Sequence, residues 1–152
     1  MVQTQDPKPD TQHPTPRTQD RKPENLRPQI SSWKDLEVWQ LAHSAVLRTY
    51  EITQRFPRDE RYRLIDQLCR AAASVPANIA EGKGRSSLKE YLQFLSIARG
   101  SVEEVKYFLL LARDLQYLPD HDYDDVNEKY ERVGKMLNGL MTSLRRHLKP
   151  KT

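Results

Sequence analysis

The feature that most constrains the fold is an unbroken run of apolar residues at alternating spacings of three and four. The run consists of Leu88, Tyr91, Leu95, Ala98, Val102, Val105, Leu109 and Ala112. Because an α-helix has 3.6 residues per turn, these residues lie on one side of a single long helix. Ser87 and Glu90 form the capping-box pattern that begins such a helix. The run therefore predicts a rod of about 28 residues and about 42 Å, whose apolar side must pack on other helices.

Three further segments show helical spacing, and no segment alternates apolar and polar residues as a half-buried strand does. Helix one is expected from about Ser32, a residue type favoured at N-caps, to Phe56 before Pro57. Its predicted core stripe is Leu36, Trp39, His43, Val46 and Tyr50, widened by Val38, Ala42, Ala45 and Ile52. We expect His43 to be a hydrogen-bonded core histidine, because no second ligand is spaced for a metal site.

Helix two is expected from about Asp59 to Glu81, with a kink where Pro76 removes one backbone hydrogen bond. Residues 82–84, with two glycines, should end it. Helix four follows a short connection, and its predicted stripe is Val126, Tyr130, Val133, Leu137, Leu140 and Leu144. Because short connections join antiparallel neighbours, we expect an all-α fold, an antiparallel up-down-up-down four-helix bundle.

The chain divides by composition into a tail and one domain. Residues 1–30 contain six of the ten prolines and almost no large apolar side chains. Such a segment cannot bury enough surface to offset its ordering entropy, so we expect a disordered Pro-rich N-terminal tail. It is either a passive extension or a segment that binds a partner. Residues 31–148 should form the bundle, and residues 149–152 a short C-terminal tail.

Bulk composition narrows the class of protein. The 152 residues suffice for one domain with a core, and 37% apolar with 30% charged residues favours an amphipathic fold. We expect no secretory signal and no membrane span, because the N-terminus is polar and no apolar run is long enough. The single cysteine, Cys69, excludes an internal disulfide and favours a reducing cytoplasm. A net charge of +4 permits contact with nucleic acid without requiring it.

No set of residues has the spacing that catalysis or metal binding requires. Cys69 lies mid-helix without a basic partner, so we expect it to be a small packed residue. Asp122, Asp124 and Asp125 begin helix four, where they complement the helix dipole. They do not form the Glu-x-x-His pairs of a di-iron bundle. We therefore expect no enzyme activity, no catalytic residue, no cofactor and no metal.

The stretch from Leu64 to Arg85 predicts a helix with two different faces. Beside its apolar face lies a polar stripe, made of Arg70, Ser74, Asn78, Glu81 and Arg85. Small residues fill much of the remaining surface and indicate a second close contact, such as another subunit. We favour a structural interpretation, in which paired charges, joined by Glu104 of helix three, fix helix two and the following loop. The alternative is a recognition surface at that loop.

One glycine position and two groups of basic residues complete the candidate sites. The pair Gly100-Ser101 interrupts helix three at a cost of roughly 1 kcal/mol for the glycine, which indicates that another backbone comes close. Five basic residues follow helix two or end helix four: Lys83, Arg85, Arg145, Arg146 and Lys149. Those of helix four complement the helix dipole, or form a patch for nucleic-acid phosphates.

Four stretches resemble a known family. They are DLEVWQLAHSAV, RFPRDERYRL, QLCRAAASVPANIAEGKGR and EYLQFLSIARGSVEEVKYFL, and the resemblance as a whole covers about residues 33–144. They resemble the four-helix-bundle family of 23S ribosomal-RNA intervening-sequence proteins. The residues that match the family motif are Arg70, Ser74, Asn78, Glu81, Gly82, Arg85, Gly100, Ser101 and Glu104.

The resemblance implies a cyclic homopentamer, and it transfers no catalytic role to any residue. A related branch serves as the accessory protein of the reverse transcriptase in diversity-generating retroelements, where the pentamer presents a basic surface to RNA and to the enzyme. We therefore expect a non-enzymatic homo-oligomer that contacts structured RNA or a ribonucleoprotein. The alternatives are an accessory scaffold for a reverse transcriptase and a protein-only scaffold without a nucleic-acid role.

Overall fold

The computed structural model describes residues 32–148, together with Thr4. In this part of the chain all regular structure is helical. The α-helices are α1 (Glu37–Thr53), α2 (Asp66–Lys83), α3 (Leu88–Asp114) and α4 (Asp120–Arg146). The expected all-α class with four helices is confirmed. The expected tails, residues 1–30 and 149–152, lie outside the described residues apart from Thr4.

The first helix begins later than the sequence predicts. Ser32 does act as a cap, but of a short 3₁₀ helix, Trp33–Asp35, where its Oγ accepts a hydrogen bond from the Lys34 amide at 3.3 Å. Leu36 is extended, and α1 starts only at Glu37. The Gln40 side chain links the 3₁₀ helix to α1, because its amide donates a hydrogen bond to the Lys34 carbonyl at 3.0 Å.

The core face of α1 is formed by the residues that widen the predicted stripe rather than by its centre. The buried residues are Val38, Ala42, Ala45, Val46, Thr49, Ile52 and Thr53, which include all four of the predicted widening residues. Of the five residues at the centre of the stripe only Val46 is buried, while Tyr50 is half exposed. His43 is exposed and stacks on Trp39 with ring centroids 5.1 Å apart, so the expected core histidine is wrong. Since alanines allow close helix contact, the larger aromatic side chains lie at the edge of the interface.

The second helix begins irregularly. A 3₁₀ turn, Arg58–Glu60, leads into a π-helical turn, Arg61–Ile65, and regular α-helix starts at Asp66. The Glu60 carboxylate supports the π turn by accepting from the Leu64 amide at 3.4 Å and from the Tyr117 hydroxyl at 3.2 Å. Pro76 lies inside α2 and is buried.

The remaining helix ends follow the sequence closely. Gly84 caps α2 at its C-terminus, one residue beyond Lys83. The predicted capping residue of α3 is confirmed, because the Ser87 hydroxyl accepts from the Glu90 amide at 3.1 Å. All eight residues of the predicted α3 stripe pack in the core, and Leu88 alone is only partly buried.

Side-chain contacts connect the helices through a continuous apolar core. The largest side chains that are almost fully buried include Ile52, Leu68, Ile79, Leu95, Leu109, Tyr130, Leu137 and Met141. The contact between α2 and α3 is the most extensive of the helix pairs. Across α3 and α4, Arg99 lies 3.3 Å from Asn138 and Lys106 lies 2.7 Å from Glu131. Among the described residues, no helix has the length and apolar content to cross a bilayer.

Candidate functional site

A neutral hydrogen-bond cluster joins α2 to α3 at the middle of the predicted motif. The hydroxyls of Ser74 and Ser101 lie 2.9 Å apart. The Asn78 side-chain amide donates to the Ser74 carbonyl at 2.7 Å and to its hydroxyl at 2.9 Å. These three polar side chains therefore satisfy one another across the helix contact, as partly buried polar groups must.

The charged residues of the motif pair locally and do not bridge the helices. Arg70 binds Asp66 at 2.9 Å and Arg85 binds Glu81 at 2.8 Å, both within one helical turn. Glu104 is exposed, with no cationic group within 4 Å in residues 32–148. Thus the charged network that the sequence predicts between helices is not formed within one chain. An open groove of about 340 Å³ remains, and its lining includes Arg70, Ser74, Ser101 and Glu104.

The two glycines of the motif have opposite surroundings. A Cβ atom placed on Gly82 would lie 2.7 Å from Phe94 Cβ and 3.0 Å from Tyr91 Cδ2, so no larger residue fits without movement. A Cβ atom on Gly100 would meet no heavy atom within 4 Å. The close approach expected at Gly100 is therefore absent within one chain. It occurs at Gly82, where the sequence indicated only a turn.

The basic residues near the end of α2 lie over aromatic rings of α3. Lys83 Nζ is 5.8 Å from the centroid of Tyr91. The Arg85 guanidinium is 4.6 Å from the centroid of Phe94 and also binds Glu81. Arg85 therefore takes part in a solvent-exposed ion pair, whereas Lys83 has no carboxylate within 4 Å in the described part of the chain.

The second basic group ends α4. Arg145 and Arg146 occupy its last turn, and both are exposed. Neither has a carboxylate within 4 Å among the described residues. Their position complements the negative end of the helix dipole, as the sequence predicts. Lys149 lies outside the described residues.

A buried carboxylate that sequence reasoning treated as a helix-dipole residue is the centre of an ion cluster. The Asp122 side chain is only 8% exposed and contacts Arg48 at 3.2 Å and Arg55 at 3.4 Å. Arg48 also binds Asp125 at 3.3 Å and Glu51 at 3.0 Å. The cluster ties α4 to the C-terminal half of α1. The signal in the sequence was the spacing of Arg48 and Arg55, which are seven residues apart, the first in α1 and the second just beyond its end.

Burial favours the neutral forms of two side chains in the core, the Cys69 thiol and the Tyr130 phenol. Burial raises the pKa of the Cys69 thiol, although a weak contact with Thr53 at 3.7 Å opposes the shift. Burial likewise raises the pKa of Tyr130 far above its usual range, against the effect of its 2.7 Å hydrogen bond with Thr49. A thiolate is therefore disfavoured at Cys69. Within residues 32–148, no group of three or more His, Cys, Asp or Glu side chains is placed to hold a metal ion.

Fold and site together define an all-α protein whose four helices enclose one core, with a polar seam between α2 and α3 and exposed cations at helix ends. The chain belongs to the 23S rRNA-intervening sequence protein family, whose model matches residues 34–139. The predicted resemblance is therefore confirmed.

A solved structure supports the fold independently. The chain is similar to the crystal structure of a Bacteroides thetaiotaomicron protein of unknown function from the S23 ribosomal protein family. The TM-score is 0.63 at 21% identity, and the match covers 68% of this chain and 97% of that chain. At this identity the likeness shows the fold alone. No curated protein matches the chain.

Proposed function

We propose that the protein is a non-enzymatic homo-oligomer that contacts structured RNA through a basic surface formed by Lys83, Arg85, Arg145 and Arg146. The observation that carries this proposal is the exposed pair Arg145 and Arg146, whose charges no carboxylate neutralises within residues 32–148. Such guanidinium groups are suited to phosphate, which they bind with two parallel hydrogen bonds. The family name, which refers to ribosomal RNA, is consistent with an RNA ligand.

The directions of the helices support the placement of all four basic residues at one end of the molecule. Position 74 of α2 pairs with 101 of α3, and Gly82 lies against Phe94, so α2 and α3 run in opposite directions. The pairs across α3 and α4 run oppositely too. We infer an up-down-up-down order, in which α2 and α4 both end on the same side. Their C-terminal cations then form one surface.

Salt dependence of RNA affinity tests the surface. We would titrate a fluorescent RNA hairpin with the wild-type protein and with the double variant Arg145→Gln/Arg146→Gln at several salt concentrations. Because each phosphate contact contributes roughly one to the slope of log affinity against log salt, the slope should fall by about 1.5 to 2. The matched control is Lys129→Gln/Arg132→Gln, which removes the same charge from the same helix. An equal loss in both variants, or no loss in either, would overturn the assignment.

We also propose that the chain assembles with itself, and the resemblance makes a pentamer the expected size. Gly100 and Ala77 are exposed in the single chain. Ile97, about one turn before Gly100 on α3, is 52% exposed. Small residues beside an apolar one allow another backbone to come close.

Gly100→Leu should therefore convert the oligomer to monomers, as measured by sedimentation analysis, and leave the helical content unchanged. Gly139→Leu, at an equally open glycine of α4, is the control. An intact oligomer in the Gly100 variant would contradict this interface.

A further inference from the structure

An open groove follows the irregular start of α2, on a side of the molecule that the proposed basic surface does not include. Its volume is about 610 Å³, within the roughly 300–1,000 Å³ range of sites that bind small ligands. Its lining includes Tyr50, Phe56, Arg58, Arg61, Tyr62 and Ile65. We call it the Tyr62 groove.

The groove offers aromatic surface that the fold itself does not use. Tyr62 is 83% exposed and Tyr50 is 50% exposed, although both are large rings on a small protein. Phe56 and Ile65 add apolar surface beneath them. Exposed aromatic rings of this kind serve single-stranded nucleic acids as stacking platforms, because every base has a flat face. Paired bases inside an RNA helix cannot reach such a ring.

Cationic groups accompany the rings. The Arg61 guanidinium lies 5.5 Å from the centroid of Tyr62. Neither Arg58 nor Arg61 has a carboxylate within 4 Å among residues 32–148. The one carboxylate in the lining, Asp66, is occupied by Arg70 at 2.9 Å. Two guanidinium groups are therefore free to contact phosphates on either side of a stacked base.

The backbone presents these side chains through its π-helical turn. Leu64 is buried and anchors the turn, while Arg61, Tyr62 and Arg63 are all exposed. Glu60 holds the turn from inside through the Leu64 amide and Tyr117. Single π turns are rare and occur frequently at functional sites. Here the turn supplies three consecutive exposed side chains next to the groove.

We propose that the Tyr62 groove binds an unpaired segment of the RNA ligand, with a base stacked on Tyr62 and phosphates held by Arg58 and Arg61. This inference rests on the proposed RNA-binding function and deepens it. The protein would then have two RNA-contact regions. The Tyr62 groove would bind single-stranded loops, and the basic surface at the helix ends would bind phosphates of any RNA segment.

The test compares fluorescent single-stranded oligouridylate and oligoadenylate with a blunt-ended RNA duplex that has no loop, each titrated at low salt with the full-length protein. Tyr62→Ala should weaken single-strand binding roughly 5- to 150-fold, the effect of losing one stacked base. Tyr62→Phe should restore it, because the ring remains. Arg58→Gln/Arg61→Gln should lower the single-strand salt slope by about 1.4, for two phosphate contacts. The matched control is Tyr107→Ala, at another tyrosine that is 59% exposed.

The outcomes separate this inference from the function on which it rests. If the wild-type protein binds neither single strands nor the duplex, the proposed RNA-binding function itself is wrong. If the wild-type protein binds RNA and Tyr62→Ala binds single strands equally well, the groove proposal alone is overturned. That second result would also hold if the groove served a protein partner. Unchanged melting temperature in Tyr62→Ala, expected from its exposure, shows that any loss is not due to unfolding.

Discussion

The α2–α3 seam and the Tyr62 groove differ in whether their polar and aromatic side chains are paired. The seam lies along α2, and the groove lies at the irregular turns before α2 and at its first residues. In the seam, Ser74, Asn78 and Ser101 satisfy one another, and Gly82 lets Phe94 approach closely. In the groove, Tyr62 and Arg58 are exposed and have no ion-pair or stacked aromatic partner within residues 32–148. The polar motif residues of the seam thus bind one another within the fold, while Tyr62 and Arg58, which lie outside the motif, remain accessible to a ligand. Substitutions should therefore change stability in the seam and binding in the groove.

The largest stability effect should come from a matched pair of glycine substitutions. Gly82→Ala places a Cβ 2.7 Å from Phe94 Cβ, next to the backbone, where little movement is possible. Overpacking of this kind costs about 1–3 kcal/mol. Gly139→Ala meets no atom within 4 Å and should stabilise the helix by about 0.5–1 kcal/mol. Chemical denaturation measures both. Equal effects would show that the seam is not tightly packed.

A smaller loss should follow Asp122→Ala, which releases Arg48 and Arg55 from their shared carboxylate. An ion pair with a solvent-exposed partner is worth up to about 1 kcal/mol, and Asp122 makes two such pairs, so we expect a loss of about 1–2 kcal/mol. The loss should shrink as salt rises. Asp124→Ala, at an exposed neighbour, should change stability by less than about 0.5 kcal/mol. Similar losses in both variants would mean that the ion cluster contributes nothing.

The smallest effect should appear as a pH dependence between α3 and α4. The hydrogen bond from Lys106, at 2.7 Å, lowers the pKa of Glu131. Because the folded-state pKa lies below the unfolded value, the pair stabilises the protein above the unfolded pKa, and this contribution disappears as pH falls through the folded pKa. Glu131→Gln should therefore melt below wild type at pH 7 and equal to it in strong acid. A difference that persists in acid, or one also seen for Glu128→Gln, would contradict this.

Much of the fold could be predicted from the sequence because local signals and packing agree there. The α3 stripe, the Ser87 cap and the glycine end of α2 each follow from spacing or local chemistry. On α1 the residues that widen the predicted stripe are buried, whereas Trp39 and Tyr50 at its centre are not, because close packing selects the small Ala42 and Ala45. The spacing of apolar residues alone does not predict the distance between two packed helices.

The candidate site was harder to predict, since charge type does not reveal which partner is available. Arg48, Arg58 and Arg85 look equivalent in the sequence. In the structure the first binds a buried aspartate, the last binds Glu81, and only Arg58 has no carboxylate within 4 Å in residues 32–148. The π turn that exposes Tyr62 has no sequence signature that the spacing rules detect. Its partner Glu60 reaches Tyr117, 57 positions away, which only the folded chain brings together.

Native mass spectrometry of the full-length protein, purified gently at low salt, tests the central claim most directly. The account predicts a mass of several subunits, five from the family resemblance, with additional mass that ribonuclease removes and that high salt releases. A bare protein under every gentle condition, with no ribonuclease-sensitive mass, would contradict RNA binding. A single subunit, with or without RNA, would contradict the proposed assembly.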